Sequence, residues 1–137
     1  MRLTMVRAWV LCAWCALGAG CDSPVRTDEL EGSWCISADS DPTVRESARD
    51  QRASVLVLEP GGTAIMTNLP IAAPDLATWN GTAEWEIEDR SDDQALVLRH
   101  SGDSYVIGLR RSRQGIELRQ SIGDPDEGHR ILLTRCR

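Results

Sequence analysis

The sequence predicts an all-β domain: an antiparallel meander of about eight strands, closed or strongly curled into a barrel. From Leu30 to the end of the chain, short apolar runs alternate with Gly-, Pro- and Asp-bearing turns. Within Gly81 to Glu88, Ala83, Trp85 and Ile87 alternate with Glu84, Glu86 and Glu88, the two-residue period of a half-buried strand. The triplet Pro60-Gly61-Gly62 between two apolar runs is a hairpin signal.

The chain opens on a segment that does not belong to that fold. Arg2 and Arg7 precede the uncharged run Ala8 to Ala16, and Leu17 to Gly20 are mostly small. This is the grammar of a secretory signal over residues 1–20. The run is shorter than the ~20 apolar residues that span a bilayer. Cys21 directly follows Leu17-Gly18-Ala19-Gly20, a stretch that resembles the lipobox of bacterial lipoproteins, although Gly18 stands where those proteins usually carry a branched aliphatic residue. The resemblance implies cleavage before Cys21, a diacylglycerol on its sulfur, and an extracytoplasmic protein held to a bacterial envelope membrane by lipid. The alternative is ordinary signal cleavage after Gly20. Cysteine parity favours the first reading. Cys12 and Cys15 leave with the signal, and acylation of Cys21 leaves Cys35 and Cys136 free to pair, whereas ordinary cleavage leaves an odd thiol.

The mature part, 117 residues, has 13 arginines, no lysine and 21 acids, a formal charge of −8. That sign argues against nucleic acid as a partner and against charge-driven binding to anionic lipid, which leaves the acyl chains as the anchor. Residues 21–29 hold the lipidated cysteine and a polar tether too poor in apolar side chains to order itself. The β-barrel domain is expected over 30–137.

Within it the expected strands are Gly32 to Ile36, Ala53 to Leu58, Thr63 to Thr67, Gly81 to Glu88, Ala95 to Arg99, Tyr105 to Leu109, Gly115 to Arg119 and Arg130 to Thr134. Two stretches break the pattern. Asp41-Pro42 and the residues to Asp50 read as a solvated loop with a weak helical turn. Pro70 to Trp79 reads as a long irregular connection across one end of the domain. Cys35 lies in the first strand and Cys136 just after the last, so a bond between them fastens the two edges that barrel closure must join.

Leu30-Glu31-Gly32-Ser33-Trp34, the stretch Leu58 to Ala64, the Trp85 strand and Gly123 to Asp126 together resemble small bacterial secreted proteins and lipoproteins of unassigned function. The Leu-x-Gly-x-Trp opening is similar to that of lipocalin-like calycin barrels. That resemblance implies a tryptophan packed at the closed end and a small ligand bound at the other. The arginine that packs over the tryptophan in lipocalins is not assignable from this sequence.

No catalytic frame emerges, and the domain is expected to be non-enzymatic, without cofactor or metal. His100-Ser101-Gly102-Asp103 reads as a hairpin, since neighbours on a tight turn point apart. Gly61-Gly62-Thr63 lacks the lysine and helix of a phosphate loop. The acidic stretch Gly123 to His129 reads as a turn, well short of a calcium cage. Glu84, Glu86 and Glu88 read as the solvated face of a strand. Trp34 and Trp85 fall on inward phases, and Trp79 falls in the irregular connection. Two functions remain: a module that binds a small apolar or amphipathic ligand, and an interaction or inhibitor domain for an envelope protein. An interior filled by Leu56, Leu58, Trp85, Ile87, Leu96 and Leu98 favours the second.

Overall fold

The computed structural model describes residues 23–42, 55–71, 78–121 and 130–137. A four-residue helix, α1 (Thr27–Leu30), leads into eight strands: β1 (Gly32–Ile36), β2 (Leu56–Leu58), β3 (Thr63–Pro70), β4 (Thr78–Asp89), β5 (Gln94–His100), β6 (Asp103–Ser112), β7 (Gly115–Ser121) and β8 (Arg130–Arg135). Each pairs antiparallel with the next, and β1 pairs with β8, so the meander is a closed barrel. Closure satisfies both edges that an open meander would leave to pair with other chains.

Alternation sets the inside. Trp34, Leu56, Leu58, Ala64, Met66, Trp85, Leu96, Leu98, Ile107, Leu118, Ile131 and Leu133 form one buried cluster, and along most strands they alternate with more exposed residues, although Val55, Ala95 and Val97 beside them are buried too. Five of the six residues expected to fill the interior are almost fully buried, and Ile87 packs against them partly buried. The outer row of β4 meets Arg99, which pairs with Glu86 and, at 3.0 Å, with Glu88.

One end of the barrel carries α1 and the tight turns. Pro60 to Gly62 turns β2 into β3 with Gly61 and Gly62 at φ of 96° and 92°, conformations that glycine adopts without a Cβ clash. Trp85 fastens this turn by donating its indole N–H to the Glu59 carbonyl at 3.1 Å. We call this the turn end. The opposite end carries the last residues of β1, β3 and β7, the first of β2, β4 and β8, and the His100–Asp103 hairpin; we call it the loop end.

Two stretches differ from expectation. Trp79 lies in β4 opposite Leu69, not in an irregular connection, because β3 continues to Pro70 and β4 starts at Thr78. A bulge between Met66 and Leu69, with Asn68 at φ 49° and its N–H held by the Asn80 side chain at 2.9 Å, shifts the register and lets both strands run on. Pro70 is tolerated because it closes the strand. Ser23 to Asp28, read as tether, lies against the barrel. Val25 is buried, and both of its backbone groups bond to the Gln94 amide, at 2.6 and 3.2 Å. Those partners are 69 residues away, where local composition carries no trace of them. The expected helical turn over 43–50, the connection at 72–77, the acidic stretch at 123–129 and Cys21 lie outside the described residues.

Candidate functional site

At the turn end, Trp34 is completely buried and donates its indole N–H to the Leu30 carbonyl at 2.9 Å. Arg135 of β8 lies opposite Trp34 and spreads its guanidinium over the indole ring, 4.5 Å from the centroid. The same guanidinium donates to the carbonyls of Glu29 and Glu31. Gly32 has φ 120°, and a Cβ there would collide with Arg135. Glu29, Glu31, Gly32 and Trp34 therefore meet one arginine. The sequence holds a signal for it: with Cys35 and Cys136 bonded on the outside, their neighbours Trp34 and Arg135 must share the inside.

Arg111 ties α1 to the barrel. It holds the Glu29 carboxylate through both terminal nitrogens, with the shortest contact at 2.9 Å, and it donates to the carbonyls of Ser23 and Pro24 at 3.2 and 3.3 Å. The Arg111 hydrogen bonds, aided by the Arg26 N–H, hold the Glu29 carboxyl at a pKa of about 2, below its usual 4.5. A depressed carboxylate stabilises the fold fully above the unfolded pKa and loses that contribution as pH falls through the folded one. The Arg111–Glu29 latch should thus hold at pH 5 and fade between about 4.5 and 2. Glu29→Gln should destabilise the domain at pH 7 and match wild type near pH 2, a convergence that urea unfolding across this range would detect. A constant difference between the two proteins would refute the latch.

At the loop end, Trp79, His100 and Tyr105 are half-buried and grouped. The Trp79 ring lies 5.7 Å from His100 and 5.4 Å from Tyr105. His100 Nδ1 stands 2.6 Å from the Thr82 carbonyl, which can only accept, so Nδ1 donates there and Nε2 is the ring nitrogen left for another partner. His100 pairs across the hairpin with Asp103. Two hydrogen bonds here join segments that are not neighbours in the sheet. Tyr105 donates its hydroxyl to the Pro70 carbonyl at 3.2 Å, and Gln120 donates to that of Ile71 at 3.4 Å. Burial pushes the Tyr105 phenol well above its ordinary pKa, so the hydroxyl stays a donor at any physiological pH.

Cys35 and Cys136 are bonded, with Cα atoms 5.0 Å apart. Among the described residues no cluster of His, Cys, Asp and Glu has the form of a metal site, and no helix is long and apolar enough to cross a membrane. The chain matches no family model, no curated protein and no solved structure. The loop-end cluster and the Arg135 and Arg111 contacts at the turn end are thus read from their own chemistry.

Proposed function

We propose that this chain is a lipid-anchored, extracytoplasmic, non-enzymatic domain of lipocalin-like build that works by presenting its surface to another protein of the bacterial envelope. The observation that carries this reading is the lumen. Its middle is filled by Leu56, Leu58, Trp85, Leu96 and Leu98, its turn end is capped by Trp34 under Arg135, and its loop end is bridged by Tyr105 and Gln120. An eight-stranded barrel has room for side chains or for one small ligand, and among the described residues side chains occupy its middle. The Arg135–Trp34 stack and the glycine between Leu30 and Trp34 support the calycin-like part of the reading.

A second reading is favoured by the grouping of Trp79, Tyr105 and His100. An amphipathic molecule would lay an apolar part on the two aromatic rings and a polar group on His100 Nε2. The two readings separate in one experiment. Tagged protein captured from envelope extract is analysed for bound proteins and bound small molecules, with Trp79→Ala as comparison. A stoichiometric protein partner retained by the variant supports the interaction reading. A small molecule lost from the variant transfers the function to the aromatic group.

Anchoring is tested at Cys21. Labelled fatty acid should enter wild type and not Cys21→Ser, and the variant should accumulate uncleaved or soluble. Label in the variant would end the lipoprotein reading.

A further inference from the structure

We propose that the turn end of the barrel faces the bilayer, held there by a leash too short to let the domain turn over, so that the loop end is the face offered to partners. This rests on the lipoprotein reading above. Sequence order alone leaves the attitude of the domain open, because a long tether would let it tumble. The structure removes most of the tether. Arg111 holds the carbonyls of Ser23 and Pro24, Gln94 holds both backbone groups of Val25, and the Glu29 carboxylate closes on Arg111. The chain is thereby fixed to the turn end as far back as Ser23. Only Asp22 separates Ser23 from Cys21. An extended residue spans at most ~3.3–3.6 Å, which places the acylated residue within about 7 Å of the turn-end rim.

The rim itself accepts that position. Ser23 to Val25 line an open groove of about 890 Å³ together with the β4–β5 and β6–β7 turns. Arg90, Arg110 and Arg113 stand there with Asp89, Asp92 and Asp93. The balance of sign spares this face the repulsion that a mature chain of charge −8 would otherwise meet at an anionic surface. At the far end stand the His100–Asp103 hairpin and the half-buried group of Trp79, His100 and Tyr105, side chains held on a rigid barrel where recognition residues usually sit.

The test uses full-length acylated protein in vesicles of phosphatidylethanolamine and phosphatidylglycerol doped with a nitroxide lipid that quenches fluorescence. Asp92→Cys puts a labelled thiol on the turn-end rim, and Ser104→Cys puts one beside the loop-end hairpin; both sites are exposed. Flotation with the vesicles is read first: protein that stays behind loses the anchor reading itself. In protein that floats, the label at 92 should be quenched several-fold more than the label at 104. Equal quenching, or more at 104, overturns the orientation alone. A Gly-Ser insertion of about ten residues between Asp22 and Ser23 should erase the difference, and an undiminished bias in that variant would overturn the leash as its cause.

Discussion

Cys35→Ser should lower the unfolding midpoint by on the order of 10–20 °C, and Cys136→Ser should lower it equally. The bond spans 101 residues of sequence. Constraining a loop of ~100 residues restricts the unfolded chain by ~4.7 kcal/mol in the entropic account, and removal of a native disulfide from a small secreted domain typically costs about 2–5 kcal/mol. At ~4 °C per kcal/mol for a domain of this size, that range gives the expected shift. Position makes the upper part of the range the better expectation. β1 has five residues and β2 three, and the ladders β1–β2 and β1–β8 hold three paired positions each, whereas β4–β5 holds six. The bond therefore lies beside the shortest seams of the barrel. Both cysteines point outward, so their loss leaves no cavity in the core. The double variant should unfold with either single one, since all three lack the same bond. Thermal melts of the oxidised, reduced and substituted proteins test this. Midpoints that coincide would mean that the noncovalent seam closes the barrel unaided.

The strands were legible because each carries its own signal. Ala83, Trp85 and Ile87 announce the inward face of β4, and Pro60-Gly61-Gly62 announces the turn before β3, through interactions of near neighbours in sequence. Closure was legible for a different reason: Cys35 and Cys136 stand at the two ends of the expected meander, where a bond between them joins the edges that closure must bring together. What stayed hidden depends on distant partners. Val25 is one apolar residue in a polar stretch, and nothing near it foretells the Gln94 amide that clamps its backbone. Trp79 was masked by Pro70, whose usual meaning as a strand breaker is cancelled by its place at the last position of β3. The same limit applies at the loop end. Tyr105 and Pro70 come together only when four strands stand side by side, so their hydrogen bond has no signature in either segment. Arg135 is intermediate. Its role follows from register, and register became fixed only once the disulfide was given a side of the sheet.

Trp34→Ala should cost about 3–5 kcal/mol, the range for emptying a fully buried aromatic site. A domain of this size is stable by ~5–15 kcal/mol in all, so the variant should unfold at a much lower urea concentration or fail to fold at 37 °C. Three losses coincide at this residue. The ring volume leaves the turn end of the core, where Trp34 is completely buried; the Leu30 carbonyl loses its indole partner; and Arg135 loses the ring beneath its guanidinium. Graded substitutions separate them. Trp34→Phe keeps most of the volume and a ring face for Arg135 but leaves the Leu30 carbonyl without its donor, so its cost should be ~1–3 kcal/mol. Arg135→Ala keeps the tryptophan and its hydrogen bond, and should cost less than Trp34→Ala because a stack at an exposed site contributes ~0.5–1 kcal/mol. The order expected from urea unfolding is Trp34→Ala, then Trp34→Phe, then Arg135→Ala. If Arg135→Ala proved as damaging as Trp34→Ala, the lid, not the buried ring, would be what holds α1 to the barrel. In that event the carbonyls of Glu29 and Glu31, which Arg135 also ties down, would carry the stability assigned here to Trp34.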